Sequence, residues 1–453
     1  MIPRETLALM RFGFGPGPMH PPPGDAMALL AGLDGPDHAA ARFPVTPFAE
    51  HLETARAYAE AARARREGDN AGVEAQQALN RARHAVLQRD LAQSLARAAH
   101  GGDDLRERLV LFWANHFTTV GRNPRFRATV PAHVDEAIRP NLSGDFATLL
   151  RAAILHPVML HYLDQARSAG PASEMGQRPG RGLNENLARE VLELHTLGVG
   201  GAWGQEDVEG LARLLTGLSF DMTEGFRFRR AMAEPGRITV LGRSYGGRRP
   251  QLADIEAALD DLARHPDTAR HIARKLAVHF IADDPDPGLV AHLTAVFRDS
   301  GGALRPVYAA LMEHPAAWAQ APAKIKPPFD FLASALRALG VAPERLARLR
   351  PARIVQHFTA PLRQMGQPFQ QPPSPAGWPE AGAQWISPPG LAARIGWALR
   401  SPEELGALPD PRTLVETALA EAAGPELRFA AAAAETRAEG VGLVLASPAF
   451  NRR

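Results

Sequence analysis

Apolar residues recur at intervals of three and four along almost the whole of this 453-residue chain. That spacing puts them on one face of an α-helix, so it predicts a succession of amphipathic helices joined by turns. The exception is a segment in which residues 226–229 alternate aromatic and basic side chains and residues 238–241 are rich in β-branched ones. This segment predicts one small β-hairpin near residues 218–245. The sequence therefore predicts an all-α, multi-helix globular protein that is more than half helical.

The chain shows no fixed-period repeat, and we interpret residues 1–453 as a single unit. Within it we expect an N-terminal helical lobe (1–217), a β-hairpin insertion (218–250) and a C-terminal helical lobe (251–453). Residues 367–389, which are rich in proline, form the longest irregular stretch. A long loop inside a compact domain is usually functional or closely packed.

Composition excludes several classes of function. Without cysteine the chain has no disulfide, thiolate nucleophile or Cys-ligated metal centre. A formal net charge of +2 with 6% aromatic residues argues against nucleic-acid binding, and no apolar run reaches the roughly 18–20 residues that cross a bilayer. Residues 1–17 lack a basic region followed by an apolar one and predict no signal peptide. We therefore expect a cytoplasmic protein, with co-export to the periplasm by a partner as the alternative; the sequence specifies neither a cofactor nor an oligomeric state.

Residues 184–198 form the most polar of the predicted helices. Asn184 can cap its start and Gly198 can end it, and neither Pro nor Gly interrupts it. Two carboxylates three residues apart repel each other unless a cation, a metal or a shared proton compensates them. At about 100° per residue, the polar side chains that share one face are Asn186, Arg189, Glu190 and Glu193.

This polar face supports two interpretations. In one, Glu190 and Glu193 are catalytic acid–base groups or ligands of an unspecified metal. The remaining polar side chains would then bind the substrate, namely Asn184, Asn186 and Arg189. In the other, the face is solvated and carries an internal Arg–Glu ion pair.

A second predicted helix spans residues 104–117 and has a capping-box pattern at its start. Its centre is apolar on all sides and is therefore expected to be buried, which carries Trp113, Asn115 and His116 into the interior. We predict that His116 joins the two glutamates as a catalytic group, and that Trp113 and Asn115 contribute to binding. By contrast, His195 points away from the carboxylates on a straight helix, and the helix dipole explains a histidine in the last turn.

Only three of the 51 basic residues are lysine. Two of them, Lys324 and Lys326, lie together, and a lysine retained where arginine is the default indicates a compact charge needed for binding, with chance placement as the alternative. The third, Lys275, shares a helix face with His271 and His279 at four-residue intervals. We interpret this basic face as solvated, with anion binding as the alternative.

Several motifs occur in a characteristic order; they are residues 112–117, 184–198, 205–208 with 215–217, 324–329, and 377–379 with 385–386. Their order resembles the bacterial family called domain of unknown function 1800, from about Leu7 to Phe450. The name of that family records that its activity is unassigned. The resemblance implies proteins that are commonly exported and encoded beside a sulfatase-like protein of domain of unknown function 1501, and hence a partner of that kind.

The chain departs from the family pattern at three positions. Where the family usually has His, Asp and Lys, this sequence has Ala233, Glu234 and Ile238. The missing signal peptide also departs from the family pattern. Two function classes follow: an envelope-related hydrolase or transferase that uses the Glu/Asn/Arg/His site, or a non-catalytic helical scaffold for the sulfatase-like partner. Loss of the three family residues favours the scaffold, whereas the polar density of the 184–198 helix favours a site, and we favour the site.

Overall fold

The computed structural model describes residues 2–121, 124–222, 224–318 and 322–453 of the chain. The predicted all-α class is confirmed, because 63% of the chain is helical and the β-structure of the described ranges consists of two small two-stranded sheets. Both sheets lie in the segment that the sequence analysis sets apart. Across these same ranges, no helix is both long enough and apolar enough to cross a membrane.

The helices up to the β-segment are α1 (Arg4–Phe12), α2 (Ala28–Ala31), α3 (His38–Arg42), α4 (Phe48–Arg66), α5 (Asn70–His100), α6 (Asp104–His116), α7 (Pro124–Arg127), α8 (Val130–His133), α9 (Phe146–Leu155), α10 (Pro157–Tyr162), α11 (Asn186–Glu190) and α12 (Gln205–Leu214). Those after it are α13 (Leu252–Ala263), α14 (Pro266–Phe280), α15 (Pro287–Asp299), α16 (Leu304–Glu313), α17 (Pro328–Ala338), α18 (Pro343–Ala347), α19 (Pro351–Ile354), α20 (Ala360–Gln364), α21 (Pro388–Glu404), α22 (Pro411–Leu419), α23 (Pro425–Ala433), α24 (Arg437–Ala446) and α25 (Pro448–Asn451). Many begin with proline, which suits the first helical position because its missing N–H needs no partner there.

Short tighter and wider turns extend or join these helices. Single π-turns continue three of them, at Val134–Ile138, Val191–His195 and Val355–Thr359. The 3₁₀ turns are Gly32–Asp34, Arg139–Asn141, Gln165–Arg167, Arg230–Met232, Pro315–Ala317, Gly382–Trp385 and Ala420–Ala422. A π-turn inserts one residue into the helical repeat and so changes the direction of every side chain that follows it.

The β-segment folds into two antiparallel hairpins rather than the predicted one. In the first, β1 (Leu218–Asp221) pairs with β2 (Gly225–Phe228). In the second, β3 (Ile238–Val240) pairs with β4 (Arg243–Tyr245).

The turn of the second hairpin explains why it carries no recognisable sequence signal. Its two residues, Leu241 and Gly242, both have positive φ, as a type I′ turn requires. Asn, Asp or Gly is usual at the first of these positions, and leucine is not. The β-rich run at residues 238–241 therefore predicts a strand but not the turn that ends it.

Two large hydrophobic cores and one small apolar cluster, around Phe48, are formed by the described residues. The first surrounds Trp113 and is built from α6, α9 and α12 to α16; the second surrounds Phe331 and is built from α5, α17 and α20 to α24. Helix α6 lies between them, since Leu109 belongs to the first core and Leu111 packs against the second. Helices of both predicted lobes contribute to each core, so the division at residues 217 and 251 stays a prediction.

Candidate functional site

The polar helix of residues 184–198 is shorter and more irregular than predicted. The N-cap residue is Glu185 rather than the expected Asn184, although Oδ1 of Asn184 accepts the first helical N–H, that of Asn186, at 2.9 Å. Helix α11 then gives way to the π-turn Val191–His195, and the segment ends at Gly198, which has φ +89°. A β-carbon at Gly198 would lie 2.8 Å from Nδ1 of His271, so glycine is required for close packing as well as for the turn.

The polar segment holds an internal Arg–Glu pair, and the glutamate of that pair is Glu185. Arg189 donates to Oε2 of Glu185 and to Oε1 of Gln205, each at 3.0 Å. Burial, followed by the charge of Glu193, raises the pKa of Glu190 to about 7, against the opposing effect of Arg189. Glu190 therefore holds its proton over part of the neutral range, although it is only half-buried.

His116 lies at the end of α6, where it meets the end of the polar segment rather than the two carboxylates. Its Nε2 donates to the backbone oxygen of His195 at 3.1 Å, and its Nδ1 is buried without a hydrogen-bond partner. Within the described ranges no hydrogen bond or ion pair joins His116 to Glu190 or Glu193. Burial, together with the charge of Lys275, lowers the pKa of His116 well below its usual value, so the ring is neutral.

His195 is the last residue of the π-turn and lies against His116, with 5.8 Å between the ring centroids. Both of its ring nitrogens are buried without a hydrogen-bond partner. Burial, then the charges of Lys275 and His271, lower its pKa to about 3. Within the described ranges no hydrogen bond or ion pair joins His195 to Glu190 or Glu193, as a structural role implies. Its ring is neutral and packs against Phe117, however, so an interaction of its charge with the helix dipole does not explain it.

The other two predicted residues of α6 have structural partners. Trp113 is fully buried, and its indole N–H donates to the hydroxyl of Tyr308 at 2.7 Å. Asn115 is bonded at both ends of its amide to the backbone of Trp378, at 2.6 and 3.0 Å. A β-carbon at Gly377 would lie 2.4 Å from Oδ1 of Asn115. Asn115 thus holds the proline-rich loop against α6. The loop is closely packed, which is one of the two roles expected for a long loop inside a domain.

The basic face of α14 is not solvated, and that interpretation is wrong. His279 is 6% exposed; its Nδ1 lies 2.8 Å from Oε1 of Glu380, and its Nε2 lies 3.3 Å from a guanidinium nitrogen of Arg108. Arginine can only donate, so Nε2 accepts and Nδ1–H donates to the carboxylate. His271 is half-buried and its Nε2 lies 3.1 Å from the backbone oxygen of Leu194. The loop that carries Glu380 and the polar segment together cover this face.

Two of the three lysines of the chain converge on Glu380. The ammonium of Lys324 is 2.6 Å from Oδ1 of Asp283 and 2.6 Å from the backbone oxygen of Glu380. Lys275 lines a small cavity together with Glu380 and His271. Burial alone would raise the pKa of Glu380, but the hydrogen bond from His279 and the charges of Lys324 and Lys275 outweigh it and lower the pKa to about 2.

Lys326, the third lysine, is buried nearby, with its ammonium 4.3 Å from the ring centroid of Phe450. Burial lowers its pKa to about 7, although the charge of Asp330 opposes this. Asp330 is itself ion-paired with Arg108, whose guanidinium also contacts His279. Lys326 therefore belongs to the same network of buried charges as the Glu380 cluster, which we define as His271, Lys275, His279, Lys324 and Glu380.

A cleft opens where the two hydrophobic cores meet, and Glu380 lines both this cleft and the small cavity of Lys275. The empty volume of the cleft, with the solvent at its mouth included, is about 1190 Å³. Its walls come from α5, α6, α17 and the loop of residues 367–385. The apolar side chains that line it include Val110, Leu111, Phe329, Leu362, Phe369 and Trp378.

Sequence reasoning missed Glu380, which is an isolated acid in a proline-rich loop without periodicity. The rarity of lysine was the usable signal, since all three lysines lie in or beside one network. Metal binding finds no support in the geometry, because the described residues contain no group of three or more His, Asp or Glu placed to hold an ion.

The fold and this arrangement define a class: an all-α protein with a cluster of buried ionisable groups beside an apolar cleft. The chain belongs to the family described as "Protein of unknown function (DUF1800)", whose model matches residues 7–452, and the resemblance based on motif order is thereby confirmed. No curated protein and no solved structure matches it.

Proposed function

We propose that this chain is a hydrolase or transferase in which Lys275 acts as the general base, at the cavity that it shares with Glu380. One observation carries the proposal. Within the described ranges the amine of Lys275 has no hydrogen bond and no ion pair within 4 Å, and burial lowers its pKa to about 8. A lysine with that pKa is partly uncharged near neutral pH and can accept a proton.

The reaction needs few further groups. The neutral amine of Lys275 takes a proton from an attacking water or hydroxyl, and the resulting ammonium returns it to the leaving group. Glu380 stays ionised and stabilises that ammonium, because its own pKa is lowered to about 2. The neighbouring His271 stays neutral, since burial and the charge of Lys275 lower its pKa to about 4.

The titration of Lys275 can be measured directly because the chain has only three lysines. Competitive acetylation over a pH series, followed by peptide mass spectrometry, resolves each amine separately. We expect half-maximal reactivity of Lys275 near pH 8. The variant Glu380→Gln should lower that midpoint, because it removes the anion that favours the ammonium. A midpoint near the ordinary value of about 10.4 would overturn the proposal.

Turnover tests the chemistry itself. We would screen the protein against chromogenic acyl esters, phosphate esters and glycosides, and compare Lys275→Met with Arg264→Gln, which removes an exposed cation just beyond α13. Loss of a general base typically costs about 10²- to 10⁴-fold in rate, so only Lys275→Met should abolish turnover. Equal rates in the two variants would contradict the role of Lys275. No turnover on any substrate class would instead support the scaffold hypothesis.

A second candidate site is the pair Glu190 and Glu193, with Glu190 as the general acid. The raised pKa of about 7 favours it, since a protonated carboxyl at neutral pH can donate to a leaving group. His116 has no direct part in this candidate, because its hydrogen bond goes to the backbone of His195. If Glu190→Gln abolishes turnover and Lys275→Met does not, this second candidate replaces the first.

A further inference from the structure

We propose that the cleft binds the apolar acyl chain of an amphipathic substrate, and that the side chain of Gln370 binds a polar group of the same molecule. This inference rests on the proposed function, because it names the class of substrate for which Lys275 would act. Most of the exposed wall of the cleft is apolar, which suits a hydrocarbon chain rather than a compact polar metabolite.

The charged groups on the cleft wall are already paired with one another. Arg97 donates to the carboxylate of Asp135, and Arg139 forms two bonds to Glu107, at 2.8 and 2.7 Å. Asp330 is likewise ion-paired, with Arg108. Paired charges attract an additional ion weakly, so these groups do not define the ligand.

Of the three amide side chains on the cleft wall, one is bonded at both ends, one is bonded through its oxygen, and the third has no partner within the described ranges. Asn115 is bonded to Trp378, and Oε1 of Gln367 accepts the N–H of Phe329 at 2.7 Å. Gln370 lines the cleft, and within the described ranges no hydrogen bond reaches its side chain. What the cleft offers a ligand is therefore apolar area and very few hydrogen bonds, which matches an acyl chain with a single polar group.

The backbone at Gln370 adds independent support. Its φ is +54°, in the left-handed region that glycine adopts easily and glutamine rarely does. Such conformations persist where the surroundings hold them, and they cluster at ligand sites. Since glycine would relieve this strain, the glutamine at this position is explained by its side chain rather than by the turn.

Binding is measurable with the protein as it exists, because Trp378 and Trp385 both line the cleft. Titration with dodecanoate, and separately with the uncharged dodecanol, should give saturable changes in tryptophan fluorescence. The variant Phe369→Asp places a charge on the apolar wall and should weaken both affinities by about tenfold or more. Phe429→Asp, at a side chain that is 75% exposed and outside the cleft, is the matched control.

The role of Gln370 has a test that a purely structural role would fail. Gln370→Gly should leave the melting temperature unchanged or higher while weakening the binding of the probes. Ala420→Gly relieves a similar positive φ of +46° away from the cleft and should change only stability. Absence of saturable binding, or equal affinity in Phe369→Asp and Phe429→Asp, would overturn the inference.

The outcomes for the two proposals are distinguishable. Lys275→Met should still bind dodecanoate, since Lys275 does not line the cleft. Probe binding with Lys275 titrating near pH 10 would leave this inference standing without the proposed function. Turnover of a short-chain ester without probe binding would support the proposed function and overturn this inference.

Discussion

Two helical segments of this chain carry a conspicuous polar face, and the structure treats them in opposite ways. The face of residues 184–198 is dense in polar groups, yet Asn186 is exposed and Arg189 is satisfied by its neighbours Glu185 and Gln205. The basic face of α14 looks like ordinary surface, yet a loop covers it through Glu380. Periodicity shows which side chains share a face, whereas the chain that covers the face decides what those side chains do.

The largest expected effect comes from breaking the covered face. Glu380→Gln leaves the buried Lys324 with less compensation and removes the carboxylate partner of His279, so it should lower the free energy of unfolding by about 3 kcal/mol. The equivalent change on the other segment, Glu185→Gln, breaks a half-exposed pair with Arg189 and should cost less than about 1 kcal/mol. Denaturant unfolding of both variants measures the difference. Similar losses in the two would mean that the Glu380 cluster is no more buried than the polar segment.

A smaller effect is expected from acid, at the buried end of the polar segment. At pH values above the ordinary histidine pKa of about 6.5, the ring of His195 is neutral in both the folded and the unfolded state. Below it the unfolded state binds a proton, whereas the folded state does not until about pH 3, so stability is lost as pH falls. Each such histidine costs about 1.4 kcal/mol per pH unit in that window.

The variant His195→Asn should therefore recover about 2 kcal/mol of the stability lost between pH 6.5 and pH 5. His84→Asn, at an exposed position of α5, controls for the loss of a histidine. The measurement is the free energy of unfolding at a series of pH values. If the two variants lose stability equally on acidification, the ring of His195 accepts a proton in the folded protein.

A structural feature is predictable from the sequence when the residues that form it are close together along the chain. Helices depend on neighbours three and four residues away, so the all-α class and the bounds of α6 are accessible from the sequence. The surroundings of His195 are not, because its ring packs against His116 and Phe117, which lie far away in the sequence. The Glu380 cluster cannot be predicted from local spacing either, since Glu380 contacts His279, which is 101 residues away in the sequence.

The smallest expected effect concerns the two neighbouring carboxylates of the polar segment, Glu190 and Glu193. A carboxyl whose folded pKa is raised to about 7 gives no stability difference below the unfolded value of about 4.3, where both states are protonated. As pH rises from there to 7 the unfolded state ionises first, so the folded state is progressively destabilised and stays so at higher pH. Glu190→Gln should therefore raise stability at pH 8 by about 1 kcal/mol, because solvent screening at a half-exposed group reduces the effect of the full shift.

Glu193→Gln should act in the same direction and less strongly, since it removes the charge that repels Glu190 while Arg189 keeps its bonds to Glu185 and Gln205. Melting curves of both single variants and of the double variant at pH 5 and pH 8 measure this. The gain of the double variant should fall short of the sum, because either change alone relieves the same repulsion. A loss of several kcal/mol in Glu193→Gln would contradict this account, since it would require a buried cation paired with Glu193. The polar segment would then hold a charge network of its own, as tightly coupled as the one around Glu380.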